Sequence, residues 1–378
     1  MTPAGLRGPE LTVDLGAVAH NTRLFRTRTD ATVMAVVKAD GFGHGAAAVA
    51  GTALANGAAR LGVTTIQEAL SLRAAGIDAP VLSWLNHPGA DFARALAEGV
   101  ELAVPSVSHL DAVLRAADAT RQTPRLHLHL DCGMSRDGCE PREWPRLVRR
   151  VVRSHRAGRV EVVGVMGHLG CADDPADPCN SAAAARFDEA VAEVRRHGLD
   201  PRLLHLAATA ATLTLPSTHH SMVRIGAGLV GIDPSGTTSL RGGLTLRAPL
   251  VAVRRVEAGD AVGYGHTWRA TRPTRLGLLP LGYADGLPRL ASGRAEVLVR
   301  GVRRPLVGRI SMDQAVVDLG DVGAGPGEVA TLFGPGDRGE PTVGDWAGWA
   351  ETIPHEIVTG IGSRVARVAA AADLRRAG

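Results

Sequence analysis

One lysine, Lys38, lies in "AVVKADGFGHG" (35–45), in a chain of 378 residues with 41 arginines and no other lysine. A desolvated amine can lose its proton and form an imine with a carbonyl, whereas a guanidinium stays charged and cannot. A composition biased toward Ala, Arg and Gly explains the arginines but not the exception. Position 38 therefore reads as a Schiff-base residue. Tyrosine is nearly as scarce. Tyr264 in "AVGYGHTW" and Tyr283 in "LGYADGLPR" are the two in the chain, each in a Gly-rich turn. Phenols held in tight turns suit proton transfer or hydrogen bonding. Cys132, Cys139, Cys171 and Cys179 lack CxxC spacing, so neither a metal site nor a disulfide framework is expected.

These residues need a scaffold. From residue 32 onward, short β-branched or apolar runs alternate with longer Ala-rich amphipathic ones. The strand-like runs are 32–38, 60–64, 80–85, 100–104, 125–131, 160–169, 202–207 and 221–226. Eight strands with helices between them predict a closed parallel (β/α)₈ barrel over residues 1–240, whose chemistry sits at the C-terminal strand ends. Lys38, Asp131, Arg136, His168, His205 and Arg224 all fall at or just past such ends. After about residue 240, strand-like runs separated by Gly and Pro predict a mostly β domain over 241–378, to which a first strand near 10–14 could add.

Bulk properties exclude other classes. Net charge is +4, from dispersed arginines. The densest run, "RLVRRVVRSHR" (146–156), has no interleaved aromatics and reads as the solvated face of a helix, so no nucleic-acid partner is expected. No apolar run reaches the ~18 residues of a membrane span, and "MTPAGLRGPE" lacks a signal-peptide core. A cytoplasmic protein is expected.

The motif around Lys38 resembles the pyridoxal phosphate lysine motif of the alanine racemase family (fold type III). "LDCGMSRDG" (130–138), "GVMGHLGCAD" (164–173), "HLAATAA" (205–211), "MVRIGAGLVG" (222–231), "VGYGHTW" (262–268), "GYADGLPR" (282–289), "GRISMDQAVVD" (308–318) and "IPHEIVTGIGSRVAR" (353–367) resemble further family motifs in the family order. The resemblance implies racemisation of alanine or another small amino acid, with pyridoxal 5′-phosphate bound to Lys38. Lys38 and Tyr264 would be the two opposed proton carriers, and Tyr264 would come from the partner subunit of a homodimer. His168 and Arg224 match a chain that supports the phenol, with Arg224 facing the pyridine nitrogen. Thr209, Gly226 and Ala227 would hold the phosphate. Arg136, the Met312 backbone and Asp313 would meet the substrate carboxylate, and Tyr283 would line the entrance.

Four positions depart from the family pattern. Phe42 and His355 stand where tyrosines are common, His129 where many members carry a carbamylated lysine, and Ala208 where asparagine is usual. Loss of two phenols, Phe42 and His355 both lining the cofactor pocket, is expected to loosen it around the substrate β-carbon, giving a substrate other than alanine or a broadened range. His129 is expected to accept a hydrogen bond from Arg136 without adding negative charge. Competing readings are a decarboxylase or β-substitution enzyme on the same scaffold, a non-catalytic cofactor carrier, and a sugar-phosphate barrel enzyme. Carriers of this fold are single-domain barrels without the β domain and its tyrosine, and retention of Lys38 and Tyr264 favours two-sided proton transfer.

Overall fold

Parallel strands cannot be joined by tight hairpins; each needs a crossover, and the Ala-rich helical segments supply it. The computed structural model describes residues 6–370. One unit comprises Val18–Leu240; the other comprises the flanking segments, up to Ala17 and from Arg241. Strand β1 (Glu10–Val13) belongs to the second. The eight predicted barrel strands are all present: β2 (Thr32–Val36), β3 (Arg60–Val63), β4 (Val81–Ser83), β5 (Glu101–Val104), β6 (Arg125–His129), β7 (Glu161–Met166), β8 (Leu203–His205) and β9 (Met222–Ile225). They lie in the order β8-β7-β6-β5-β4-β3-β2-β9, with every ladder parallel. The gap between β8 and β9 is nearly closed by two backbone bonds, Ser221 N–H to Leu204 O at 3.2 Å and Arg224 N–H to Ala207 O at 3.0 Å.

Met34, Leu82, Ala103, Met166 and Met222 come from five different strands, yet pack as one buried cluster. Side chains from β2, β5 and β7 can meet only inside a closing sheet. Outside, the arginine-rich run forms the helix Trp144–Arg156. Trp144, Leu147, Val148, Val151 and Val152 are buried at helical spacing and Arg146, Arg149, Arg153 and Arg156 are exposed, the amphipathic pattern predicted.

The run 32–38 does not stay extended to its end. Strand β2 stops at Val36, and Lys38 opens a tight turn in which Ala39, Asp40, Gly41 and Phe42 have φ of 51°, 53°, 62° and 56°. Three of the four are not glycine, and left-handed backbone costs roughly 1–2 kcal/mol for each such residue. Hydrogen bonds offset the strain. Gly41 N–H donates to Val37 O at 2.9 Å and Gly45 N–H to Asp40 O at 2.8 Å. Ala46 N–H donates to Asp40 Oδ1, and Ala39 N–H to Glu68 Oε1, both at 2.8 Å. Glu68 has a second task. Its Oε2 accepts from Thr65 N–H at 3.0 Å, while Thr65 Oγ1 accepts from Glu68 N–H at 3.2 Å, which caps the helix Ile66–Ala74.

In the second unit β10 (Leu244–Pro249), β11 (Ala252–Val256), β12 (Ala261–Val262), β13 (Trp268–Arg269), β14 (Thr274–Leu279), β15 (Glu296–Val299), β16 (Val302–Val307), β17 (Ala315–Asp318), β18 (Val329–Phe333) and β19 (Ala366–Ala369) follow. Nine strands form one sheet in the order β11-β14-β17-β16-β15-β18-β10-β1-β19, and β12 and β13 form a separate hairpin. Strand β1 pairs antiparallel with β10 and parallel with β19. The helix Val343–Trp349 anchors on the sheet through fully buried Trp346, whose Nε1–H donates to Leu332 O at 2.6 Å. Among the described residues no helix is long and apolar enough to cross a membrane.

Because Glu68 both caps a helix and tethers the turn that carries Lys38, Glu68→Ala is expected to cost about 1–2 kcal/mol. That corresponds to a Tm lower by roughly 2–8 °C. Calorimetry that found an unchanged Tm would remove the tether from the account.

Candidate active site

The side chain with most partners at the top of the barrel is Arg224 on β9. It is 5% exposed, and among the described residues no carboxylate pairs with it. Its neighbours are neutral acceptors. One terminal nitrogen donates to His205 O at 2.7 Å and His205 Nδ1 at 3.1 Å. The other donates to Gly167 O at 2.8 Å, His168 Nδ1 at 3.1 Å and Leu206 O at 3.2 Å. Burial pulls its pKa down to about 10, which still leaves a cation at neutral pH. The Nε–H is the one donor that these partners leave over.

A guanidinium can only donate. His168 and His205 must therefore present an unprotonated Nδ1 to it, and when neutral each carries its hydrogen on Nε2. For His205 that hydrogen points at His127 Nδ1, 2.9 Å away. His127 in turn carries its hydrogen on Nε2, which donates to Glu101 at 3.0 Å. A directed chain thus runs from Arg224 through two neutral imidazoles to Glu101, which also pairs with Arg60, and with Arg125 at 3.1 Å. Gly164 makes room for it: a Cβ there would lie 2.3 Å from His127 Nδ1. For His168 the Nε2–H remains free to donate outward.

Burial is the largest influence on each of these histidines. It holds His168 down at about 3, with Arg224 next in weight, and His129 at about 4. His205 is pushed well below the usual imidazole range and His127 is also lowered. Glu101 goes the other way for a carboxyl. Burial opposes its ionisation, but His127 and Arg60 outweigh it and bring it to about 2. Lys38 is lowered by burial first, then by Arg136 and Arg224, against an opposing pull from Glu68. The barrel therefore assembles Lys38, Arg136, His168 and Arg224 in one electrostatic neighbourhood.

Beside them lies an amide cradle. Thr209 begins the helix Thr209–Thr214, and its Oγ1 accepts from Gly226 N–H at 3.4 Å and Gly228 N–H at 3.2 Å. Ala227, between these two amides in sequence, opens the next helical turn. A Cβ on Gly226 would lie 2.8 Å from the Phe42 ring, so glycine is required there. Phe42 is 7% exposed and fills the space beneath the cradle. Ala208 caps the Thr209–Thr214 helix with no side-chain bond.

The loop after β6 doubles back on itself. Asp131 Oδ1 gathers the amides of Gly133, Met134 and Ser135 at 2.9–3.1 Å, and Cys139 N–H returns to His129 O at 2.7 Å. This leaves Arg136 exposed, with no ion pair among the described residues. The expected His129–Arg136 hydrogen bond does not form. His129 Nδ1 instead faces Asp137 Oδ2 at 3.6 Å, too far for a hydrogen bond, and is a buried atom without a partner. A carboxylate nevertheless stands here, at Asp137.

The remaining predicted residues lie in the second unit. Tyr264 sits at the tip of the hairpin β12–β13 and is 72% exposed. Tyr283 and Met312 are neighbours, because Tyr283 N–H donates to Ser311 O at 3.0 Å and Ala284 N–H to Met312 O at 2.9 Å. Asp313 pairs with Arg364 at 2.6 Å, and Arg364 also reaches Asp285 at 3.0 Å. His355 lies half-buried in the helix Pro354–Gly360.

Glu101, His127 and Asp137 escaped sequence reasoning. The available signal was polar side chains at alternate positions of "RLHLHLD", which puts His127 and His129 on one face of β6.

The buried imidazoles fix an acid response. An unfolded imidazole titrates near ~6.5, so below that pH the unfolded chain takes up protons that the folded barrel refuses. Stability is full above pH ~6.5 and is lost as pH falls toward the folded values, by about 1.4 kcal/mol per pH unit for each imidazole. Glu101 has the same sign at lower pH: its contribution is present above the unfolded value of 4.5 and lost as pH falls toward about 2. Urea midpoints are expected to drop steadily from pH 6.5 to 5. A flat profile over that range would contradict neutral burial of the histidines.

Comparison with known proteins places this arrangement. Residues 13–234 match the family model for the alanine racemase N-terminal domain, and residues 243–369 that for the alanine racemase C-terminal domain. The alanine racemase of Mycolicibacterium smegmatis is 48% identical over 97% of this chain and 95% of its own length. That of Thermobifida fusca is 45% identical over 95% and 97%. The solved alanine racemase of D-cycloserine-producing Streptomyces lavendulae superposes with a TM-score of 0.94 at 43% identity, covering 98% of both chains. That of Bartonella henselae, solved with covalently bound pyridoxal phosphate, gives 0.87 at 27% identity over 97% of this chain and 100% of its own. Both domain models together span nearly the whole chain, and the relatives match it along its length: the chain belongs to the alanine racemase family.

Proposed function

We propose that this chain is a pyridoxal 5′-phosphate-dependent racemase of alanine or another small amino acid, working as a homodimer whose two sites each borrow Tyr264 of the partner subunit. The observation that carries the reading is the buried, carboxylate-free Arg224 that donates to His168 beside an amine whose pKa is pulled down. The residues fit the cofactor. Lys38 offers the amine, the Thr209–Gly226–Ala227 cradle offers a hydroxyl and amides to a phosphate, and the spare Nε–H of Arg224 offers a donor to a ring nitrogen. His355 is assigned to the phosphate and Phe42 to the floor of the cradle.

When bound, the cofactor withdraws electrons from the substrate α-carbon, so that its proton becomes removable. Lys38 Nζ holds or moves that proton on one face, and burial, with Arg136 and Arg224, lowers its pKa in the direction a proton carrier needs. Tyr264 of the partner subunit does so on the other face. A phenol titrates near ~10, and the Nε2–H that Arg224 enforces on His168 is the donor that stabilises a phenolate. Arg224 keeps its positive charge throughout, so a ring nitrogen that accepts from it stays unprotonated. Electron withdrawal is then moderate, which favours returning the proton over side reactions. Arg136 orients the substrate carboxylate with Asp137 behind it, together with the Met312 backbone and Asp313, and Tyr283 lines the entrance.

The 72% exposure of Tyr264 supports the shared site, since a proton carrier left in water gains nothing from the barrel. The names of the relatives support alanine as substrate. Four free cysteines fit a reducing, cytoplasmic setting.

Subunit mixing tests the reading. Lys38→Ala and Tyr264→Phe should each abolish or severely reduce racemisation of L-alanine. Co-expressed, they should regain about a quarter of wild-type activity, because half of randomly paired dimers hold one intact site. Wild type without racemase activity would overturn the function. Active wild type with no recovery on mixing would overturn the shared site.

A further inference from the structure

Cys171 and Cys179 are eight residues apart, a spacing that suggests no metal motif, but the fold closes them around one point. Cys171 lies in the turn that follows β7, and Cys179 lies in the first turn of the helix Pro178–Arg196. Asp177 caps that helix, its Oδ1 accepting from Cys179 N–H at 2.8 Å. The two sulfurs and a carboxylate oxygen of Asp177 all lie within 4.8 Å of one another. A tetrahedral zinc ion, with Zn–S about 2.3 Å, holds two sulfurs about 3.8 Å apart. The three ligand atoms would need to shift by roughly an ångström or less.

The turn is built to hold this geometry. Asn180, 4% exposed, donates through Nδ2 to Cys171 O at 3.1 Å and Asp174 O at 2.9 Å. Asp174 N–H donates to Cys171 O at 3.0 Å and Asp177 N–H to Asp174 O at 3.2 Å. Cys171, Asp177 and Cys179 are all half-buried, which leaves an approach from solvent and room for a water ligand. Cys132 and Cys139, at 1% and 2% exposure, are enclosed and cannot compete.

We propose that Cys171, Asp177 and Cys179 bind a thiophilic divalent cation of the zinc class, with water as fourth ligand. Two thiolates and a carboxylate suit such an ion by softness and by coordination number. On binding, two S–H bonds give way to two metal–sulfur bonds and two protons pass to solvent. The turn begins three residues after His168, so the ion would tie the segment leaving the active site to the helix that follows. The site uses the barrel unit alone and does not rest on the racemase reading.

The test is an anaerobic cobalt(II) titration of the reduced holoprotein. The expected result is one equivalent bound, with a thiolate-to-cobalt band and tetrahedral d–d bands at the red end of the visible, beyond pyridoxal absorption. Zinc should bleach them and release two protons per ion in weak buffer. Cys171→Ser and Cys179→Ser should each lose the bands. Asp177→Asn keeps both thiols and a helix cap, so it covers the case in which the serine variants do not fold. It should weaken cobalt binding at least about tenfold. Absence of saturable binding, bands that survive both serine changes, or unchanged affinity in Asp177→Asn would overturn the site.

Discussion

A guanidinium buried without a carboxylate is the constraint on which this site turns. Removing Arg224 from water is costly, and among the described residues no anion touches it to offset that. What stabilises it is a ring of neutral acceptors: three backbone carbonyls and two imidazole nitrogens. Because arginine only donates, its position dictates the proton pattern around it. Both histidines must turn a lone pair inward. One then has a hydrogen to aim at the substrate face, and the other passes the polarity on to His127 and Glu101. The compensating anion is held across the barrel, behind two neutral rings, rather than against the reacting face. A carboxylate beside Arg224 would have raised the pKa of Lys38; its absence lets the cation lower it.

The other parts follow from this division. Strands hold the groups that must not move, with Arg224 on β9 and His205 and His127 on β8 and β6. Loops hold the other candidate groups, and each is braced by its own backbone: the left-handed turn after Lys38, the Asp131 nest before Arg136, the glycine cradle after β9. The strain of the lysine turn sits in the four residues directly after Lys38, beside a candidate functional group, where strained backbone tends to concentrate. The β domain keeps its phenol in the open, on a hairpin tip.

Much of this was legible in the residues. The eight strands stood out because β-branched runs alternate with Ala-rich helical ones, and Lys38 because no second lysine exists. Arg224 and His168 could be placed at strand ends from the alternation, but their roles came only through family resemblance. The relay to Glu101 was hidden for a physical reason: inward-facing positions of a barrel look like any alternating strand until closure decides which strands face each other. The turn after Lys38 was hidden because three of its four left-handed residues are not glycine. Asp137 was hidden because a loop that doubles back sets neighbours that sequence order does not. Cys171 and Cys179 were set aside for the same reason, since a folded turn can converge ligands without a CxxC spacing.

The most direct test of the central claim is neutron diffraction from perdeuterated crystals grown near neutral pH. The account predicts deuterium on Nε2 and none on Nδ1 of His127, His168 and His205, with a fully deuterated Arg224. Deuterium on Nδ1 of His168 or His205 would contradict it, because Arg224 could then not be donating to both rings.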